Sequence, residues 1–594
     1  MTSAFDLGRQ GLHRASVALA LACSICVLAA CGGGGGDASG EAIALSSDAT
    51  VSPQSRAQAQ RFLNQATFGP SEQDIATVTA QGYKGWIENQ FVQPQASHRA
   101  YWDAANAATR TSTGGTAGSR EVFDSFYLNA VHGVDPLRQR VAFALSEIFV
   151  ISMVDGNVGG NPRGVASYLD MLGANAFGNY RDLLQTVALH PMMGLYLTWL
   201  KNQKEDTTKG RVPDQNFARE SMQLFSIGLL QLNADGTVKT DASTGKGLET
   251  YTTSDVEGLS KVLTGYSWSG PDTSDSRFFG GGSPVDANRD WTPMQPYAKY
   301  HSTSAKTFLG QTIGAGGSAE NDLKAALDAL YNHPNVGPFI GKQLIQRLVT
   351  SNPSSAYVAR VAQAFNDNGS GVRGDMKAVL RAVLLDSEAR DEGIAGADGY
   401  GKVKEPILRM TAFLRAFGAT SDSGRFLIGT TDDPGTQLGQ SPMRSPSVFN
   451  FFRPGYMAPD TKTSAAGLLA PELQLAHETS VAGYANFMRS GVQSGFGQNG
   501  VDYKATRRDV QPDYSGAVAV ADDSTQLVNY VADRLLPGAA DDLKSEMRTA
   551  VDSITIPTLK ADASNQTSVT NTRNNRVWIA VYLALVSPEF IVQK

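Results

Sequence analysis

Apolar residues recur three and four positions apart along most of the chain, the spacing that places them on one face of an α-helix. In "DPLRQRVAFALSEIFVIS", residues 135–152, Leu137, Val141 and Leu145 form such a face behind a proline at the helix start. The stretch "NVGPFIGKQLIQRLVT", residues 335–350, repeats apolar positions every four residues. Both patterns predict amphipathic helices.

Polar residues before two apolar stretches predict where helices begin. Ser71 is followed three residues later by Asp74, which is typical of a helix N-cap, and Gly82 is expected to end that helix. Ser254 and Glu257 have the spacing of a capping box, in which each side chain bonds to the other residue's backbone N–H. The sequence therefore predicts a second helix from this point.

Signals for β-strands are few. The pair Asp235-Gly236 predicts the turn of a small hairpin. Gly369, Gly371 and Gly374 match a dinucleotide-binding spacing, but they follow an expected helix instead of a strand, so we interpret them as a loop. The sequence predicts a mainly α fold, a multi-helix bundle-like architecture with at most small β-hairpins.

The N-terminus resembles a bacterial lipoprotein leader. Basic residues precede the apolar run 15–30, which is too short for a stable transmembrane helix, and "LAAC" places small residues directly before Cys31. We predict a signal peptide over residues 1–30, lipidation of Cys31, and a flexible Gly/Ser/Ala-rich tether over 31–57. A conventional secretory peptide is the alternative. Gly32, where an aspartate would resemble an inner-membrane retention signal, favours the outer membrane, on its periplasmic or surface face.

Composition narrows the chemistry and the partners. The net charge of -6 over 594 residues, without a basic run, argues against a nucleic-acid partner. Of the three cysteines only Cys31 would remain after cleavage, which leaves no thiolate zinc site, disulfide or catalytic cysteine. Zinc-helix, Walker-loop and nucleophile-elbow motifs do not occur. The sequence indicates no particular metal or cofactor.

A charged pair stands inside the apolar segment "PDQNFARESMQLFSIG". Arg219 and Glu220 are candidate catalytic groups, or members of a structural ion pair with the helix that carries Arg138, Arg140 and Glu147. Removal of one member of a buried pair typically costs about 3 to 5 kcal/mol, so either role would make the pair important.

Two further segments contain candidate functional side chains. His301 and Lys306 lie in "HSTSAKTFLG", which has no packing period, so we expect them to face a cleft as an acid, a base or a charge-stabilising group. Arg444, Asn450 and Arg453 lie among aromatic residues in "SPMRSPSVFNFFRPGY", which could bind an anionic group or a sugar. The alternative for this segment is a loop that its phenylalanines attach to the core.

The order of several motifs resembles the bacterial secreted family known as domain of unknown function 1800. The matching segments include "RFLNQATFGPSEQDI", "LRQRVAFALSEIFVIS", "PDQNFARESMQLFSIGL", "YTTSDVEGLSKVLTGYSW", "HPNVGPFIGKQLIQRLVTSNPS" and "SPMRSPSVFNFFRPGY". The resemblance covers the chain from about Gln60 to the C-terminus. It groups a helical core domain over 58–480 with a C-terminal helical region over 481–594 in one family unit.

The resemblance implies a helical envelope protein that is commonly encoded beside a second secreted protein with an alkaline-phosphatase-like fold, and it implies no reaction. This family often has a second glutamate three residues after the first, whereas this chain has Gln223, which argues against a paired-carboxylate mechanism. Two hypotheses follow. One is an envelope lipoprotein with a binding or assembly role towards a secreted partner or an extracellular polymer. The other is an extracytoplasmic hydrolase or metal-assisted enzyme acting on such a polymer.

Overall fold

Helices form most of the molecule, as the apolar spacing predicts. The computed structural model describes residues 52–499 and 507–594. The predicted signal peptide, Cys31 and the tether up to residue 51 lie outside the described residues. About 52% of the described residues are helical, and the strands among them form only small antiparallel pairs, which confirms the mainly α fold. None of the helices in the described ranges combines the length and the apolar character needed to cross a membrane.

The described residues up to 332 contain thirteen α-helices. They are α1 Arg56–Ala66, α2 Glu72–Val92, α3 His98–Thr113, α4 Arg120–His132, α5 Pro136–Ser146, α6 Gly156–Gly159, α7 Pro162–Asn175, α8 Tyr180–Leu189, α9 Pro191–Tyr196, α10 Asn216–Gln223, α11 Thr253–Val262, α12 Asp275–Phe278 and α13 Ala319–Asn332.

The described residues from 336 onward contain thirteen more. They are α14 Val336–Leu348, α15 Ser355–Asn366, α16 Met376–Leu384, α17 Ser387–Arg390, α18 Glu392–Ala395, α19 Pro406–Ala416, α20 Lys462–Ala465, α21 Glu478–Ser494, α22 Ser515–Ala519, α23 Ser524–Leu535, α24 Asp541–Asp552, α25 Gln566–Val586 and α26 Pro588–Ile591. Two 3₁₀ helices span Ala298–Tyr300 and Pro471–Leu475.

The strands are short and pair antiparallel. They are β1 Tyr266–Ser267, β2 Gln295–Pro296, β3 Lys306–Phe308, β4 Gln311–Ile313, β5 Lys402–Val403, β6 Thr420–Ser421, β7 Phe496–Asn499, β8 Arg508–Gln511 and β9 Val592–Gln593. The pairs are β1–β2, β3–β4 and β5–β9, and β8 lies between β6 and β7. In β5–β9, Lys402 lies opposite Gln593, so the end of the chain pairs with a segment almost two hundred residues earlier.

Some predicted helix boundaries are confirmed and two are shifted. The Ser71 side chain accepts a hydrogen bond from the Asp74 backbone N–H, and Gly82 breaks the helical backbone of α2 with φ 72°. The predicted capping box at Ser254 is wrong. Thr252 caps α11 instead, because its backbone is extended (φ -114°) and its side chain accepts from the N–H of Asp255, which bonds back.

Helix α5 ends earlier than its apolar pattern suggests. The prediction continued the helix to residue 152, whereas α5 ends at Ser146. The N–H groups of both Ile148 and Phe149 donate to the Leu145 carbonyl, which closes a tight turn. The Phe149 carbonyl then accepts the hydroxyl of Tyr168 at 2.8 Å. The apolar run is therefore a buried loop, because burial alone does not require helical backbone.

One contiguous apolar core connects the described helices. It includes buried residues from Ala59 in α1 to Phe590 in α26, and so joins both ends of the described chain. The predicted hairpin at Asp235-Gly236 forms, with Leu232 bridged to Val238. This hairpin lies at the surface of the core and forms one side of the site described next.

Candidate functional site

A cavity of about 400 Å³ lies between the hairpin, α14 and the loop 449–455; we call it the groove. Its lining residues are Gln223, Leu224, Gly228, Leu229, Leu230, Leu232, Gly236, Val238, Phe339, Lys342, Gln343, Gln346, Phe449, Arg453, Pro454, Gly455 and Leu469. Most are apolar, two are cationic and none is acidic. Its volume lies within the range of small-ligand sites, about 300 to 1,000 Å³.

Asn335 attaches the hairpin side of the groove to the start of α14. Its Nδ2 donates to the carbonyls of Ile227 and Leu230, both at 2.8 Å, and its Oδ1 accepts the Leu232 N–H at 2.9 Å. Leu229 is nevertheless 56% exposed. The hairpin is thus held in place by a buried amide while it presents apolar side chains to solvent.

The opposite side of the groove is formed by the loop 449–455. The Arg453 guanidinium lies over the Phe449 ring, 5.0 Å from its centroid. Gln346 donates from Nε2 to the Pro454 carbonyl at 3.2 Å, which fixes the loop to α14. Beside it, the buried amide nitrogen of Gln343 has no hydrogen-bond partner among the described residues. The groove therefore has a cationic edge, and an unpaired buried amide lies beside it.

Beneath the groove lies a group of buried charges, which we call the charge cluster. Its members are Arg140, Glu147, Arg347, Lys402, Glu405 and Glu472. Gln343 connects it to the groove, because its Oε1 accepts a hydrogen bond from Arg347 at 3.3 Å. Three carboxyl groups and three cationic side chains are thus enclosed together, with formal charges that can balance.

The cluster is joined by several short contacts. Arg347 Nε lies 3.7 Å from Glu147 Oε2, and Lys402 Nζ lies 3.1 Å from Glu472 Oε1 and 3.9 Å from Glu405 Oε1. Arg347 also donates from Nη2 to the Glu147 carbonyl at 3.0 Å. These residues come from α5, α14 and segments after residue 400, so the cluster ties distant parts of the chain together.

Burial shifts the protonation equilibria of the cluster. Desolvation raises the pKa of Glu147 well above its ordinary value, and repulsion from Glu405 adds to this rise, while Arg347 opposes it. Burial likewise raises the pKa of Glu472. The pKa of Arg140 is lowered, mainly by burial. A protonated Glu147 beside Glu405 relieves the repulsion between two buried carboxylates.

Asn450 connects the loop of the groove to the charge cluster. Its Nδ2 donates to Glu147 Oε1 at 3.0 Å, and its backbone is left-handed, with φ 62°. Asparagine is among the few residues that adopt this conformation readily. The binding candidate Asn450 and the ion-pair candidate Glu147 are therefore direct neighbours.

Arg444 and Arg453, the other two binding candidates of this loop, lie in different environments. Arg453 lines the groove, whereas Arg444 pairs with Asp432, with 2.9 Å between Nε and Oδ2. Phe452 is buried, which agrees with a loop attached to the core by its aromatic residues. Of the cations predicted for binding, only Arg453 contributes to the cavity.

The predicted ion pairing of Arg219 and Glu220 with α5 is wrong. Arg219 is exposed, whereas Glu220 is buried with 6% exposure. Arg138 pairs instead with Asp135, with 3.7 Å between Nε and Oδ2. Arg140 donates to the Arg347 carbonyl at 2.5 Å within the charge cluster. The reason is that α5 turns these residues toward α14 and its own N-terminus.

Glu220 keeps an unusual environment. Its Oε2 is buried and has no hydrogen-bond partner among the described residues. Burial raises the pKa of Glu220, and Arg219 partly offsets this. Gln223, one turn later, accepts a hydrogen bond from the Tyr251 hydroxyl at 3.1 Å and lines the groove.

His301 and Lys306 come together, but the expectation that they face a cleft is wrong. Their exposed fractions are 2% and 0%. Both contact the same carboxylate oxygen, Asp322 Oδ2, at 3.0 Å from His301 Nε2 and 2.7 Å from Lys306 Nζ. Helix α13 supplies Asp322 and covers them. The three form a buried polar network that fixes β3 against α13.

Sequence reasoning missed most of the charge cluster. Arg347 could have been found, since it follows Ile340 by seven residues and Leu344 by three on the apolar face of α14. A charged residue at such a position requires a buried partner. Lys402, Glu405 and Glu472 lie in segments without clear periodicity, so no comparable signal marks them.

The described residues contain no group of three or more His, Cys, Asp or Glu side chains placed to hold a metal ion. The family model described as "Protein of unknown function (DUF1800)" matches residues 61–592, nearly the whole chain. No curated protein and no solved structure matches the chain.

Proposed function

The chain belongs to the DUF1800 family of proteins of unknown function, and we propose from its own residues that it is a cell-envelope lipoprotein with a binding or assembly role. In this proposal the groove binds an apolar, acidic segment of a secreted partner. The leader sequence and Cys31 support the lipid-anchored location, which the net acidity and the absence of a nucleic-acid signature also fit.

The observation that carries the proposal is the composition of the groove. Its apolar lining, its exposed hairpin leucines, its two cations and its lack of carboxylates favour a ligand with the opposite charge. Burial of one leucine side chain contributes about 1.5 to 3 kcal/mol, so a few apolar contacts give useful affinity. Lys342 and Arg453 would then fix the orientation of acidic groups.

The family resemblance suggests the first partner to test. A secreted protein with an alkaline-phosphatase-like fold is commonly encoded beside members of this family, and it would reach the same compartment. An extracellular polymer is the other class of partner, and the experiment below distinguishes the two.

The test is capture of the partner from native envelope by the full-length, tagged chain. We expect a stoichiometric protein with wild type, and at least tenfold less with Leu229→Asp or Arg453→Glu. Leu559→Asp is the matched control, because Leu559 is also exposed (49%) but does not line the groove. Equal capture by all variants, or no partner, would refute the proposal, and recovery of a polysaccharide alone would replace the protein partner with a polymer.

A second candidate, an extracytoplasmic hydrolase or metal-assisted enzyme, is favoured by one observation. A buried carboxyl with raised pKa and a free oxygen, as in Glu220, is a common form of general acid. Assays of polymer hydrolysis with wild type and Glu220→Gln test it, together with metal analysis of the purified protein. Activity that depends on Glu220 would support this candidate; hydrolysis unaffected by the substitution would reject that role.

A further inference from the structure

A second cavity, of about 450 Å³, lies where α25 packs against α21 and α24; we call it the α25 trough. Helix α25 contributes Asn575, Trp578, Ile579 and Tyr582, which share one face because they are spaced three and four positions apart. The two other helices each add three residues with the same spacing, and none of the lining residues belongs to the groove. The volume is that of a small-molecule site.

Hydrogen bonds from buried side chains fix both walls of the trough to α25. On one side the Tyr484 hydroxyl of α21 donates to the Leu585 carbonyl at 3.1 Å. On the other side Arg576 donates from Nε to the Ile554 carbonyl at 2.7 Å, just after the end of α24. This bond also places a guanidinium where the last carbonyls of α24 carry partial negative charge. The trough is therefore preformed, so a ligand would lose little affinity to ordering of the protein.

The apolar side chains of the trough are accessible to a ligand. Trp578 and Ile579 pack against the core but stay only partly buried, and Tyr582, one turn later, is also half-buried. Val492 of α21 and Ile554 extend this surface on the two sides. Because removal of apolar surface from water is favourable, the trough favours a ligand with an apolar body.

The polar side chains of the trough include one charge, which is positive. Arg489, Gln493 and Asn575 are all exposed to solvent. Arg489 is the one charged residue of the lining, which contains no carboxylate. Asp552 precedes a lining serine in the sequence, but it is exposed and does not line the trough. An anionic group would thus meet a cation and two amide side chains, whereas a cationic group would be repelled.

We propose that the α25 trough binds an amphiphile with an apolar body and one anionic head, a carboxylate or a phosphate. The body packs against the Trp578 and Tyr582 rings. Arg489 binds the head, since a guanidinium presents two parallel N–H groups to carboxylate or phosphate oxygens. The amides of Gln493 and Asn575 can donate further hydrogen bonds to the head. This site is independent of the groove, and so it adds a small ligand to the protein partner proposed above.

The test is calorimetric titration of the full-length chain in phosphatidylcholine nanodiscs, with empty nanodiscs as the blank. The probes are octanoate and octyl phosphate, which differ only in the anionic head, and octanol and octylammonium, which carry a neutral and a cationic head. We expect saturable binding of at least one of the two anions, at least tenfold tighter than that of octanol, and no saturable binding of octylammonium. Acetate, which lacks the apolar body, should not bind.

Two substitutions separate recognition of the head from recognition of the body. Arg489→Gln should weaken binding of the anion at least tenfold and leave octanol binding unchanged, with Arg110→Gln, at another exposed helix arginine, as the matched control. Trp578→Ala should weaken binding of the anion and of octanol alike. Its control is Trp291→Ala, at a tryptophan that is also partly buried but does not line the trough. Because Arg489 is exposed, its substitution tests the proposal even if Trp578→Ala fails to fold.

Three results would overturn the proposal. The first is no saturable binding of either anion. The second is the same affinity for the anion in Arg489→Gln as in wild type. The third concerns another occupant: if native mass spectrometry of the chain released from the nanodiscs shows dimers that Trp578→Asp dissociates, the trough is an interface between two copies.

Discussion

Glu147 illustrates how the environment of one residue differs from its appearance in the sequence. The sequence marks it as an ion-pair candidate for Arg219 and Glu220, whereas in the structure it is buried between Asn450, Arg347 and Glu405. Because its folded pKa lies above its unfolded pKa of about 4.3, the folded state binds more protons between these values. The stabilisation that comes from protonation of Glu147 is fully present at low pH and is lost as pH rises through the folded pKa.

We expect the free energy of unfolding of Glu147→Gln, minus that of wild type, to become more positive as pH rises from 5 to 8. Glutamine resembles the protonated carboxyl: it accepts from Asn450 and can donate to Glu405. Urea unfolding at both pH values measures the difference, with Glu589→Gln, at an exposed site, as the control. If the free energies of unfolding of Glu147→Gln and wild type differ by the same amount at both pH values, the raised pKa of Glu147 is contradicted.

At the scale of elements, Gly258 allows α11 to lie directly against β3. A Cβ added there would be 1.7 Å from the Thr307 carbonyl oxygen, far inside any contact distance. Asp255 strengthens the same junction by accepting the Leu309 N–H at 2.6 Å. The position of β3 matters because it carries Lys306, one of the buried partners of Asp322.

Gly258→Ala is therefore expected to lower the free energy of unfolding by about 1 to 3 kcal/mol or more, since overpacking outweighs the better helix propensity of alanine. Gly85→Ala in α2 is the matched control. Its Cβ would meet only Gln81 Cβ at 3.5 Å, so the same substitution should stabilise by up to about 1 kcal/mol. Chemical denaturation measures the free energy of unfolding of the two variants. If both substitutions raise it, α11 does not pack as closely against β3 as described.

At the scale of the whole molecule, the last residues complete the packing around α14. Gln593 donates from Nε2 to the carbonyls of Leu348 and Val349, at 2.8 and 3.1 Å, at the end of that helix. Strand β9 pairs with β5, whose Lys402 belongs to the charge cluster. The C-terminus thus supports the helix that lines the groove and holds Arg347.

Deletion of residues 592–594 should lower the free energy of unfolding by about 2 to 5 kcal/mol, because several buried hydrogen bonds worth about 0.5 to 1.5 kcal/mol each are lost. Deletion of the exposed Lys594 alone is the control and should leave stability within about 0.5 kcal/mol. Thermal and urea unfolding compare the two proteins. If the two deletion variants have the same free energy of unfolding, the supporting role of β9 is contradicted.

Local patterns predicted much of the fold. The helices α5 and α14, the N-cap at Ser71 and the hairpin at Asp235 depend on interactions within a few residues, and each is present. His190 likewise makes a local contact, since its side chain accepts the Met192 N–H at the start of α9. Two wrong predictions, the capping box at Ser254 and the length of α5, were local, whereas the misplaced charged side chains contact or are covered by other segments of the chain.

The sequence alone determined the helical character, the family and the candidate leader, because these depend on local spacing, motif order and composition. Only the tertiary structure decided which charges share the buried cluster, that His301 and Lys306 meet Asp322, and where the groove lies. The physical reason is desolvation: the energy of a charged or polar group depends on every element packed around it, and those elements are brought together by the fold of the whole chain.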